Sequence, residues 1–168
     1  MIVKHIDHSE MEGGLGRMLD RYREEGTLTG DPTEDAYLAE VPAAALLGLL
    51  YDQRVRAEYA FAGPRRLQER LGHLDLKVIA TMPAEAFQKR FAETPAVHRF
   101  TNRMAEYTQL VAKAVTDNYA GEAAALWSDG VEFETVQRRL LELPGFGKGK
   151  AAKMKYVLHY LGYRDFSG

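Results

Sequence analysis

The stretch Pro42-Ala-Ala-Ala-Leu-Leu-Gly-Leu-Leu-Tyr51 carries no charge and only one polar atom outside the backbone. Alanine and leucine are strong helix formers, and proline is well placed in a first helical turn. A helix that is apolar almost all round has no side to offer water, so other elements must surround it. Whatever this chain folds into is built around residues 42–51.

The surrounding sequence supplies the wrapping with a helical period. Met11, Leu15, Met18, Leu19 and Tyr22 recur at steps of three and four, which predicts a first helix capped by Ser9 and closed by Gly26. A polar loop follows over residues 27–35, with Gly30-Asp31-Pro32 as its turn. Residues 57–71 read as an amphipathic segment that Gly63-Pro64 is expected to break or restart. Leu74, Val78, Ile79 and Met82 read as a short helix, with a strand as the alternative, Pro83 opens another helix with Ala86, Phe87 and Phe91 inward, and Asn102 to Tyr119 makes a long one stopped by Gly121. Phe133, Val136, Leu140 and Leu141 line the next helix, and Ala151, Met154, Leu158 and Leu161 the last. No repeat or hairpin of strands is evident, so the expectation is an all-α bundle of roughly eight helices.

Composition narrows the function classes. A net charge of −2 excludes general coating of nucleic acid, so any nucleic-acid surface must be a local patch. The absence of cysteine removes disulfides and any cysteine-held zinc or iron-sulfur cluster, which fits a cytoplasmic protein. The opening apolar run, Met1-Ile2-Val3, is too short for a secretory signal, and no segment approaches membrane-spanning length, so no membrane partner is expected. His5, Asp7 and His8 lack a third strong ligand for a metal, and His98 and His159 read as ordinary histidines. Tyr51 and Tyr59, at helical spacing, read as core before they read as a stacking pocket.

Between the last two helices lies Leu143-Pro-Gly-Phe-Gly-Lys-Gly-Lys-Ala151. Gly145 and Gly147 are free to take positive φ and to let another backbone approach, and the helix that follows presents unpaired N–H groups. With Lys148, Lys150 and Lys153 beside them, those groups make a site for an anion such as phosphate. A plain αα-hairpin connection is the competing reading of the same glycines.

This turn resembles the helix-hairpin-helix motif of the HhH-GPD superfamily of DNA glycosylases. Two further stretches are similar to that family in the same order: Leu49-Leu-Tyr-Asp-Gln53, like its buried helix ending in a glutamine, and Phe100-Thr-Asn-Arg-Met-Ala105, like the turn before its long central helix. The resemblance covers most of the chain from Val41 to Gly162. It implies a helical domain over residues 36–168 with its hairpin at 141–152, and an N-terminal helix within residues 1–35 that packs as part of a reduced second lobe. It also implies DNA, duplex or damaged, as the partner. Gly145, Phe146, Gly147, Lys148, Gly149, Lys150 and Lys153 would meet the backbone, and Gln53 would fill the gap left by an extruded base. A monovalent cation on the main-chain carbonyls of Leu141, Leu143 and Phe146 is the one cofactor that the resemblance suggests.

The family pattern fails where the chemistry should be. The position of the family's Schiff-base lysine is Gly149, and Lys148 and Lys150 point about 100° away from it on an ideal helix. The nearest acid to the family's aspartate is Asp165, without the usual neighbours, while Asp52 reads as a surface carboxylate. The expectation is therefore a DNA-binding member of the base-excision-repair glycosylase superfamily whose catalysis is left open or lost. A monofunctional N-glycosylase using Asp165, and a helical protein-interaction module without DNA binding, stand as alternatives. Oligomeric state is not legible.

Overall fold

A computed structural model describes residues 3–168; Met1 and Ile2, which open the N-terminal apolar run, lie outside the described residues. The described chain is helical throughout, with nine α-helices, one short 3-10 turn and no strand. In order these are α1 (Gly13–Glu25), α2 (Pro32–Glu40), α3 (Pro42–Tyr51), α4 (Ala57–Leu71), α5 (Leu76–Thr81), α6 (Ala84–Ala92), α7 (Thr101–Tyr119), the 3-10 turn Ala123–Leu126, α8 (Phe133–Leu141) and α9 (Lys148–Tyr160). No helix is long and apolar enough to cross a membrane among the described residues.

The apolar helix α3 is the centre, as its composition demands. Every residue from Ala43 to Tyr51 is buried, and α2, α4, α7, α9 and the 3-10 turn all pack on it. At its C-terminal end the Tyr51 hydroxyl donates to Thr108 Oγ1 (2.8 Å), whose own hydroxyl donates to the Met104 carbonyl (2.6 Å). This chain satisfies both hydroxyls in a fully buried place and pins α3 to α7.

Three expectations about local structure need correction. Ser9 does not cap α1; the helix starts at Gly13 behind Glu12, and residues 3–8 instead lie along α9, where Tyr160 Oη accepts from the Ile6 N–H (3.1 Å). The loop over residues 27–35 gives way to α2 at Pro32, with the Asp31 carboxylate accepting from Thr33 N–H (2.9 Å) as N-cap and Pro32 at N1. Gly63-Pro64 does not interrupt α4. Pro64 costs one backbone hydrogen bond, but Ala60, Phe61, Gly63, Pro64 and Leu67 are all buried, and that packing holds the helix through the proline. Gly63 itself must stay small, since a Cβ there would meet the Tyr51 ring at 2.7 Å.

The first helix joins the bundle through Leu15, Met18 and Leu19, and through an Arg21–Glu58 ion pair (2.8 Å) to α4. Past α9, Arg164 donates to the carbonyls of Trp127 (2.7 Å) and Val131 (2.8 Å), and the Tyr163 hydroxyl donates to Leu38 O (2.6 Å). The residues after α9 are thus fastened to α2 and to the segment that follows the 3-10 turn.

Candidate functional site

One face of the bundle gathers the C-terminal end of α3, the N-terminal end of α7 and the turn between α8 and α9. Leu143 and Phe146 are buried and anchor the turn in the core, and Gly145 carries it over α3 with φ +86°. A Cβ at Gly145 would lie 2.6 Å from Leu50 Cδ1 and 3.3 Å from the Tyr107 ring. Only glycine fits both that space and that conformation.

The other two glycines are used differently. Gly147 takes φ −97°, an ordinary extended value that does not use its freedom to adopt positive φ, and serves as N-cap of α9. Gly147 and Gly149 are exposed, with no atom within 4 Å of where a side chain would begin. The first turn of α9 therefore presents bare backbone outward. No side chain caps it, and no acid lies in it; Lys148 and Lys150 sit there instead. That arrangement opposes the usual preference for acids at a helix N-terminus, since lysine and the positive end of the helix dipole repel one another. The Phe146 N–H is not among the outward groups, because it donates to Leu143 O (3.2 Å). That contact also occupies part of a carbonyl which the sequence suggested for a monovalent cation. The side chain of Leu141, by contrast, is exposed.

Lys150 departs furthest from expectation. Its side chain turns inward from α9, and Nζ donates to Leu50 O (2.6 Å) and to Gln53 Oε1 (3.0 Å). Leu50 O is one of the carbonyls left without an intrahelical partner at the end of α3. Burial drives the Lys150 pKa down to about 8, and Lys153 adds to the shift while Asp52 opposes it. Asp52 is not the surface carboxylate that its sequence position suggested. It is the C-cap of α3, off the helical spiral, and its side chain is only 10% exposed. Burial raises its pKa, against the charges of Lys153 and Lys150. Lys153 Nζ stands 3.9 Å from Asp52 Oδ2, too long for a direct hydrogen bond but close enough for charge attraction.

Beside this cluster opens a cavity of about 330 Å³ lined by Gln53, Arg54, Phe100 and Arg103. It brings two guanidinium groups, an amide and an aromatic face together, with no carboxylate among the lining residues. Arg54 holds φ +56°, a strained value for a residue with a side chain. His98 fixes the wall: its Nε2–H donates to Tyr51 O (3.0 Å) and its Nδ1 accepts from Phe100 N–H (3.0 Å). The Nδ1 acceptor role requires the neutral ring, and burial holds the His98 pKa below the usual 6.5.

A pH test follows from that histidine. Its folded pKa is lowered, so the unfolded chain binds more protons, and stability is lost as pH falls below about 6.5. The melting temperature should drop between pH 7 and pH 5, and the drop should shrink in His98→Gln, which cannot titrate. An unchanged slope would remove His98 from the account.

Asp165 lies elsewhere. It sits beyond the C-terminal end of α9, roughly 20 Å along a thirteen-residue helix from the glycine turn. Its side chain is 76% exposed, and its Oδ1 accepts from Ser167 N–H (2.8 Å) and Ser167 Oγ (2.6 Å). Those hydrogen bonds keep its pKa below the usual carboxylate range. That position sets Asp165 apart from the face that holds the glycine turn and Gln53, which the alternative reading of a glycosylase using Asp165 would need it to join.

No protein-family model, no curated protein and no solved structure matches this chain.

Proposed function

We propose that this face binds the sugar-phosphate backbone of DNA beside a damaged or missing base, in the manner of the HhH-GPD superfamily that the sequence resembles. The observation that carries the reading is the first turn of α9, with its uncapped N–H groups, two bare glycines and the exposed Lys148. A helix start that repels its own side chains gains most from an anion, and phosphate is the anion that a backbone-only cradle suits best. The convergence of Gln53, Phe100 and the glycine turn on one face adds support, since the resemblance picked out those stretches from widely separated places in the chain. The neighbouring cavity, with Phe100 and two arginines, has the size and lining to take an extruded nucleotide.

Fluorescence anisotropy with a labelled duplex across a salt series provides the test. Each lysine that meets a phosphate contributes roughly one unit to the slope of log affinity against log salt, so Lys148→Ala should flatten the slope by about that amount. An unaltered slope would remove the turn from the interface. Absence of any duplex binding at low ionic strength would favour a protein-interaction module instead.

A further inference from the structure

We infer that the cavity lined by Gln53, Arg54, Phe100 and Arg103 takes the terminal phosphate of a broken DNA strand, a phosphomonoester, so that this face recognises a nick or gap by the charge of its end. The inference rests on the DNA-binding reading above and adds to it the kind of break that is bound.

The polar side chains of the lining decide the class of ligand. Each guanidinium donates through all its N–H groups and accepts nothing. The Gln53 amide can accept, but its Oε1 already receives Lys150 Nζ (3.0 Å), which leaves its NH₂ group for the cavity. The side chains therefore offer donors alone. A neutral base brings donors of its own and few acceptors, so it would leave most of these groups unmatched. A phosphate presents only acceptors, and guanidinium groups meet its oxygens in pairs. Among the described residues neither Arg54 nor Arg103 takes part in an ion pair, so both charges are open to a ligand. Glu106, the next acid along α7, lines the adjoining hollow instead.

The surrounding backbone adds to the same field. Arg54 keeps φ +56°, a left-handed value that glycine would take freely and a side chain disfavours, so the fold alone gives no reason for an arginine there. Phe100 is the N-cap of α7, no side chain caps that helix, and its first turn holds no acid. The N–H groups of Thr101, Asn102 and Arg103 are outside the helix's own hydrogen bonds, and the positive end of α7 reinforces the two guanidinium charges. A third guanidinium, that of Arg99, lies 5.1 Å from the centre of the Phe100 ring.

Charge and shape separate the end of a strand from its interior. A phosphodiester carries one charge and continues in both directions, and the outward first turn of α9 suits it. A phosphomonoester carries about −1.5 to −2 at neutral pH, has three free oxygens and continues in one direction only, so it can enter a cavity end-on. The 330 Å³ available accept that phosphate with its sugar, which packs on Phe100. Gln53 borders both places, since it lines the cavity and meets Lys150 in the first turn of α9. A strand held by its backbone on α9 thus brings a neighbouring end to the cavity mouth. A 5′ and a 3′ phosphate share this chemistry.

The experiment measures, by anisotropy at a fixed low salt concentration, how the full chain binds a gapped duplex whose inner ends carry a 5′-phosphate, a 3′-phosphate or hydroxyls alone. The expected result is about tenfold tighter binding of one or both phosphorylated forms than of the hydroxyl form, the gain of a charge-assisted contact. The form that responds names the end that enters. Arg103→Gln and Arg54→Gly should each bring that ratio close to one. Both residues are exposed, and glycine suits the backbone at position 54, so both variants should fold, which circular dichroism checks. Lys148→Ala should weaken all three forms together and leave the ratio in place. Equal affinity for the three forms overturns the terminal-phosphate site and leaves backbone binding standing, and so does a preference that survives in both arginine variants. Failure to bind any of the three, or an unbroken duplex, overturns the site and the DNA-binding reading together.

Discussion

Gly145→Ala is expected to lower the unfolding free energy by about 2–4 kcal/mol, the sum of a left-handed backbone at a residue with a side chain and a methyl group forced into a packed seam. The seam is specific: the new Cβ would fall 2.6 Å from Leu50 Cδ1, on the helix that forms the centre of the bundle. Gly149→Ala provides the contrast. Its position is helical and open, so alanine should stabilise by a few tenths to about 1 kcal/mol, while placing a methyl group over the outward N–H groups. Urea denaturation and duplex binding measured on both variants should therefore give opposite stabilities and weakened binding in each. Equal stabilities for the two would contradict the division of labour among these glycines; undiminished binding by a folded Gly149→Ala would contradict the phosphate cradle.

That division shows where the sequence was legible and where it was not. The central helix and its wrapping by amphipathic partners followed from residues 42–51 and from spacing alone, because an uncharged ten-residue run admits few environments. The short helix α2 was written in Asp31-Pro32, but the same pair also signals a turn, and only the burial of Leu38 and the anchoring of Asp35 by Thr27, Leu28 and Thr29 decides between them. Gly63-Pro64 misled because propensity counts the lost hydrogen bond and not the core that surrounds it.

The site was legible as a turn and as a set of backbone donors, which are local properties. Its side-chain chemistry was not. Lys150 is placed one helical step from Gly149, a rotation that turns it from the family's reactive position and directs it toward the side of α9 that holds Ala151 and Met154 against the core. Its long apolar stem can follow that surface, and the end of α3 offers the carbonyl that receives its head. Asp52 was misjudged for a related reason. The chain leaves the helical spiral at that residue, at φ −74° and ψ 72°, and no residue type in the sequence marks that exit. The partners of Lys150 and Asp52 lie about a hundred positions away in sequence, where spacing carries no information.

The largest loss of stability is expected at a residue far from this face. Trp127 is 1% exposed and follows the 3-10 turn that packs on α3, α7 and α8. Its ring stands 5.4 Å from that of Tyr163, and its carbonyl receives Arg164, so it holds the residues after α9 against the core as well as filling it. Trp127→Ala should cost about 3–5 kcal/mol, a large share of what a domain of this size possesses. Trp127→Phe keeps most of the apolar volume and the backbone acceptor, so it should lose much less. Thermal unfolding followed by circular dichroism distinguishes these cases. If the alanine variant is far less stable yet binds duplex normally at temperatures where it remains folded, the tryptophan serves the scaffold alone. If binding falls in the folded variant, the attachment of the 3-10 turn to α3 also sets the position of Gln53 and Lys150, and the core extends its influence to the site through that helix.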